Sequence, residues 1–141
     1  MQLTVTAPTN ALQTSYPLSV SAAGDGHSAV SSTAAFIVDT TAPNTPSVSA
    51  SLSKQGKQVR GVNVSCSATD AGSPASGIAG YLFYRNGTAV CGKAYSCFDA
   101  VTTAGTYSYT CRAIDNAGNV SSLSTTPAVV PITSSPGNRR K

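Results

Sequence analysis

The sequence predicts an all-β fold, a sandwich of antiparallel sheets, from three observations. Charged residues make up only 10% of the chain, against about 25% in an average globular protein. The five acidic residues are all Asp, so helix-stabilising charged pairs are nearly absent while β-branched and small residues are plentiful. Apolar and polar residues alternate in short runs, and turn residues recur roughly every ten positions, as is typical of a β-sandwich.

Residues 1–39 contain three alternating runs, LTVT, YPLSVSA and TAAFIVD. Their apolar positions are Leu3 and Val5, then Tyr16, Leu18, Val20 and Ala22, then Ala34, Phe36 and Val38. Three strands cannot close a sandwich, and a small sheet is marginal unless something covers its apolar face. We therefore predict a partial repeat, ordered only when another part of a longer chain or a second molecule packs against it. A third alternative is that the segment folds back on the module that follows.

The rest of the chain divides into a linker, a fuller set of strands and a tail. Residues 40–47 include two prolines and several hydroxyl or amide residues, which predict an extended linker rather than a central strand. Residues 48–132 contain further alternating runs, and the pair Asn86–Gly87 marks a hairpin turn between two of them. Residues 133–141 end in three basic residues and are predicted to form a flexible tail.

Three strings in the chain resemble a known family. FIVDTTAP is similar to the junction between tandem bacterial immunoglobulin-like repeats, and GYLFYRNG and AIDNAGN resemble parts of a fibronectin type III or closely related immunoglobulin-like module. The resemblance covers about residues 45–132. It implies an immunoglobulin-like (fibronectin type III-like) β-sandwich preceded by the last strands of a similar repeat. It also implies an extracellular or cell-surface location, a structural or adhesive role and no catalysis.

Four cysteines in a small β-rich chain indicate an oxidising compartment. Side chains alternate across a strand, so Cys66 and Cys111 lie on apolar faces of their runs and point into the sandwich. The resemblance implies that these two are bridged across the sheets, with Tyr109 two residues before the second cysteine. The family's core Trp is absent, so Tyr81 and Phe83 would have to fill its volume.

Cys91 and Cys97 would form the second bridge, and Gly92 predicts a turn between them. Free buried thiols remain an alternative to both bridges. A zinc site built from the four cysteines is a further alternative, although no Cys-x-x-Cys spacing occurs.

Three aspartates are candidate calcium ligands. In a sandwich of this topology, the loops after the second and sixth strands lie at the same end as the linker. Asp70 and Asp115 fall in those loops and Asp39 in the linker region, and Ca²⁺ takes six to eight oxygen ligands. The resemblance adds that similar repeats rigidify their junctions with Ca²⁺. The alternative is that Asp115 and Asn119 only bond their own turn backbone. No other cofactor is predicted.

Catalysis is not predicted, because the single histidine, His27, has no partner spacing that suggests a nucleophile or acid. Tyr84 and Tyr95 are candidate sugar-stacking residues, with exposed hairpin tyrosines as the alternative. The net charge of +4 is spread along the chain or lies at its end, which does not favour nucleic acid. No run approaches the roughly 20 apolar residues of a membrane span, so membrane insertion is not predicted.

We therefore predict a non-catalytic extracellular structural or adhesion module of a larger surface or secreted protein. No signal peptide is visible, so the chain is expected to be a piece of a longer exported protein. The partners implied are neighbouring immunoglobulin-like repeats or copies of itself, and cell-surface glycans or proteins. One alternative is a subunit or decoration domain of a filament, pilus or virion appendage that assembles by strand exchange. Another is an accessory carbohydrate-binding module.

Overall fold

The computed structural model describes residues 11–24 and 26–133, and within these ranges every regular element is a β-strand. The all-β prediction is confirmed. The predicted run at Leu3 and Val5 and all but the first residue of the predicted tail lie outside the described residues. The strands are β1 (Thr14–Gly24), β2 (His27–Val38), β3 (Ser47–Gln55), β4 (Gln58–Ser67), β5 (Ile78–Arg85), β6 (Thr88–Ala94), β7 (Ser96–Asp99), β8 (Gly105–Asp115) and β9 (Ala128–Ile132).

Strands β3 to β9 form a β-sandwich of two antiparallel sheets. One sheet has the order β3-β4-β7 and the other the order β6-β5-β8-β9. The inward positions of both sheets alternate with exposed ones, and burying their apolar surface is the main favourable term in folding. The buried core is drawn from both sheets and consists of Val62, Val64, Tyr81, Phe83, Cys97, Tyr109, Cys111, Ala113, Val130 and Ile132.

Two disulfides connect the sheets. Cys66 on β4 is bonded to Cys111 on β8, and Cys91 on β6 is bonded to Cys97 on β7. The structure does not have the predicted turn at Gly92, which lies within β6. The chain leaves the four-stranded sheet after β6 and enters the three-stranded sheet as β7, a strand that the alternation did not predict. Both bridges therefore join one sheet to the other.

The hairpin between β5 and β6 turns at Asn86–Gly87, as the sequence predicts. Both residues have positive φ, 48° and 80°, which is the conformation that a two-residue turn of this kind requires and that Asn-Gly pairs favour. The Asn86 side chain also accepts a hydrogen bond of 2.8 Å from the backbone N–H of Ser108. The turn is thereby attached to the neighbouring strand β8.

A buried polar network joins the sheets at the end of the sandwich where β7 ends. The Tyr109 hydroxyl donates a 2.8 Å hydrogen bond to Asp99 Oδ2, and Arg85 Nη1 lies 2.8 Å from both oxygens of the same carboxylate. Burial of Tyr109 and its bond to Asp99 raise the pKa of the phenol above its ordinary value. Residues of β5 and β8 thus provide hydrogen-bond partners for both oxygens of the Asp99 carboxylate.

Strands β1 and β2 form a separate two-stranded sheet. Tyr16 lies opposite Phe36 and Leu18 opposite Ala34, so these four apolar positions share one face. Much of this face is in solvent, since Tyr16 is 41% and Val20 49% exposed. The interpretation as a partial repeat, and the domain boundaries with it, stays a prediction.

Removing the Cys66–Cys111 bridge should destabilise the protein more than removing the Cys91–Cys97 bridge. The bridged residues are 45 positions apart in the first and 6 in the second, and loop-closure entropy gives about 4 and about 2 kcal/mol respectively. Urea unfolding of the two double Cys→Ala variants measures both costs. Equal costs would contradict this explanation.

Replacing Tyr109 with Phe should lower the free energy of unfolding by about 2 kcal/mol, because a buried bond to a charged carboxylate is lost. Tyr107→Phe is the matched control on the same strand. Its hydroxyl donates to the Thr103 carbonyl at the surface, so its loss should cost less than about 0.5 kcal/mol. Indistinguishable unfolding curves for the two variants would show that the Asp99 bond contributes nothing.

Candidate metal centre

Three carboxylates converge at the opposite end of the sandwich, where the chain enters it. Asp39 follows β2, Asp70 lies in the loop between β4 and β5, and Asp115 is the last residue of β8. One oxygen of each lies within 4.8 Å of the others. Asp39 and Asp115 are only 6% and 1% exposed. The structure therefore brings together the three residues that the sequence singled out as calcium ligands.

The turn after β8 holds Asp115 in place. Its Oδ1 accepts the backbone N–H of Asn119 and its Oδ2 accepts the Asn119 side-chain amide, both at 2.8 Å. These are the turn bonds that the alternative interpretation predicted. The same Asn119 amide also donates to the Asp39 carbonyl at 3.1 Å. The turn thus orients one carboxylate and fastens the linker beside it.

Asp39 is held by the backbone on two sides. Its Oδ1 accepts the N–H of Thr41 at 3.0 Å, and its Oδ2 accepts the N–H of Ser76 at 2.8 Å. Burial favours the neutral acid and is the largest single influence on its pKa. Hydrogen bonds, first those from Thr41 and Ser76, together outweigh burial and hold the Asp39 pKa below its ordinary value. The side chain is therefore a carboxylate at neutral pH.

Asp70 has one satisfied and one unsatisfied oxygen. Its Oδ2 accepts the Gly77 N–H at 2.6 Å, whereas its Oδ1 is buried and has no hydrogen-bond partner among the described residues. A buried acceptor without a partner is costly. The ion pair found in the described part of the chain joins Arg85 to Asp99, so it does not neutralise this cluster. An all-oxygen set of carboxylates suits a hard cation such as Ca²⁺.

A residue that the sequence analysis missed attaches the first hairpin to this end of the sandwich. The Gln13 side chain donates to the Pro74 carbonyl at 3.2 Å and accepts from the hydroxyls of Thr40 and Thr41. It lies against Gly72, which has a φ of 98° and where any Cβ would clash with the Gln13 amide. Nothing in the local pattern around Gln13 indicates this contact, since its partners are up to 61 residues away.

The two candidate sugar-stacking tyrosines do not come together. Tyr95 is 66% exposed, and its hydroxyl donates to the Ile78 carbonyl at the start of β5. Tyr84 is half-buried near the other end of the same strand. Tyr84 lies six positions along the extended strand from Ile78, or about 20 Å away. They do not form a common platform.

Comparisons with known proteins give one partial match. Over 93 residues, or 64% of the chain, the sequence is 42% identical to Exoglucanase B of Cellulomonas fimi. The chain spans only 8% of the length of that protein. No protein-family model matches the chain, and no solved structure matches it. Among the described residues, no helix is both long and apolar enough to cross a membrane.

The depressed pKa of Asp39 predicts how stability depends on pH. A carboxyl with a lower pKa in the folded state stabilises the fold above its ordinary pKa of 3.8, and this contribution is lost as pH falls below that value. Asp39→Asn removes the titration and keeps the side-chain shape. Urea unfolding at stepped pH should therefore show a smaller loss of stability on acidification below 3.8 in this variant than in the parent. If the stability of the parent and of the variant fell equally with pH, the lowered pKa of Asp39 would be contradicted.

Proposed function

We propose that this chain is a non-catalytic, immunoglobulin-like module of a larger extracellular protein, in which it holds neighbouring parts at a fixed spacing. Support for the fold type comes from the strand orders of the two sheets and from the Cys66–Cys111 bridge between β4 and β8. Tyr109, two residues before the second cysteine, fills the core beside Tyr81 and Phe83. In antibody-type domains the tyrosine at this place bonds a backbone group, whereas Tyr109 bonds the Asp99 carboxylate.

Two observations favour the extracellular part of the proposal. Both disulfides join the sheets and all four cysteines are used, and stable structural disulfides belong to oxidising compartments. The partial match to an exoglucanase covers a small segment of a much longer protein. A non-catalytic module attached to other domains of a longer protein would give a partial match of this kind.

The single observation that carries the spacer role is the convergence of Asp39, Asp70 and Asp115 where the linker enters the sandwich. We propose that Ca²⁺ binds there. Asp39 would contribute a ligand from the linker, Asp70 from the β4–β5 loop through its unpartnered Oδ1, and Asp115 from the end of β8. The ion would neutralise three buried or half-buried carboxylates at once. It would also fix the linker to two loops of the sandwich and so limit bending at the junction.

Strand exchange is a second candidate for the first hairpin. Within the described residues the β1–β2 sheet has two strands, and its apolar face is partly exposed at Tyr16 and Val20. Unpaired strand edges are templates for pairing with another chain. Sedimentation at increasing protein concentration separates the two roles, because a spacer stays monomeric while a strand-exchanging subunit forms larger species.

Calcium should stabilise the parent protein and leave the Asp70→Asn variant almost unchanged. With a Kd in the 10⁻⁴ to 10⁻³ M range of extracellular sites, about 10 mM Ca²⁺ should add roughly 1 to 3 kcal/mol. The amide oxygen of the variant side chain would still accept the Gly77 N–H, so in EDTA the variant should be at least as stable as the parent, because like charges no longer repel. Thermal unfolding with and without Ca²⁺ at matched ionic strength measures both effects.

Asp25→Asn is the control, because it removes the same charge from an aspartate that is not one of the three proposed ligands. It should respond to Ca²⁺ as the parent does. Absence of heat in a calorimetric titration at millimolar Ca²⁺, together with an unchanged melting temperature in the parent, would reject the metal site.

A further inference from the structure

The outer face of the sheet β3-β4-β7 has an unusual chemistry. Its side chains form two rows across the strands, because residues that pair in register point to the same side of a sheet. One row is Ser49, Ser65 and Ser96, and the other is Ser51, Asn63 and Phe98. All six are exposed. They line a shallow depression of about 350 Å³ whose lining includes no charged side chain.

Phe98 is the aromatic member of this face, and 52% of it is exposed. Its ring reaches across to β4 and lies over Gly61, where an added Cβ would come within 3.0 Å of two ring atoms. The glycine thus allows the ring to lie along the sheet instead of projecting from it. The ring therefore contacts β4 at Gly61 while about half of the side chain stays exposed to solvent.

These groups match one class of partner. Hydroxyl and amide side chains both donate and accept hydrogen bonds, as do the hydroxyls of a sugar, and an aromatic ring can stack on the apolar C–H face of a pyranose. A charged polymer would find no counter-charge in the depression. A second copy of the chain would gain little there, because Phe98 is the single large apolar side chain of the face and stable interfaces need a larger apolar centre.

We propose that this face binds a neutral, extended polysaccharide, with one pyranose ring stacked on Phe98 and the neighbouring sugar hydroxyls bonded to Asn63 and Ser51. An open sheet surface accommodates an extended chain of pyranose rings better than a coiled one. This binding goes beyond the spacer role, which requires no ligand, and it does not involve the carboxylate cluster at the linker.

Retention on polysaccharides tests the proposal, with the full chain in EDTA so that the metal site plays no part. The probes are microcrystalline cellulose in sedimentation assays and hydroxyethylcellulose in native affinity gels, with anionic polygalacturonate for comparison. The parent should bind the neutral β-glucans and not the polygalacturonate. Phe98→Ala should weaken binding roughly tenfold or more, because stacking removes apolar surface of both the ring and the sugar from water.

Two further variants keep the test decisive. Asn63→Ala leaves Phe98 and Gly61 in place, so it should also weaken binding without altering the fold. Tyr95→Ala removes an aromatic ring that is more exposed than Phe98 but lies off this face, so its binding should equal that of the parent. The proposal is overturned by a parent that binds neither β-glucan. Unchanged binding in both Phe98→Ala and Asn63→Ala, or an equal loss in Tyr95→Ala, overturns it as well. So does a parent dimer that Phe98→Ala dissociates.

Discussion

The structure depends on the packing of β4 against β8 across the sandwich. Val62 and Val64 on one strand face the same core as Tyr109 and Ala113 on the other, and the Cys66–Cys111 bond joins the two strands covalently. A sandwich of this size buries a small core, so each buried side chain and each cross-link is a large fraction of its net stability. With the two strands fixed, the loops at their ends have little freedom, and those loops hold the polar groups on which the proposed function rests.

The two ends of the sandwich use the same residue type in opposite ways. At the end of β7, Asp99 is paired with Arg85 and accepts the Tyr109 hydroxyl, so its charge is neutralised within the fold. At the linker end, Asp70 follows β4, Asp115 is the last residue of β8, and Asp39 joins them from the chain that enters. There the partners are backbone N–H groups and the Asn119 amide, which orient the carboxylates without supplying a full positive charge. The first arrangement stabilises the module by itself, and the second leaves a place for a cation.

The alternation of β3, β4 and β7 serves two purposes. Inward positions such as Val64 and Cys97 complete the core, while the positions between them place hydroxyl, amide and phenyl groups on the outer face. Because the core depends only on the inward set, the outer set is free to carry a binding function without disturbing the fold. The proposed spacer role and the proposed polysaccharide binding are therefore compatible in one module.

The sequence by itself determined the local structure: the period of two that defines strands and their apolar faces, the Asn86–Gly87 turn, and the two cysteines on apolar faces. It also indicated Asp39, Asp70 and Asp115, because strand ends and loops can be located along the chain. It did not reveal β7, the crossing of the chain between Cys91 and Cys97, the Gln13 contact with Gly72, or the ring of Phe98 over Gly61. Alternation states which side of a strand a residue occupies, but not which strand will lie beside it. Pairing partners follow from how the whole chain closes on its core, so contacts between distant residues were decided only by the tertiary structure.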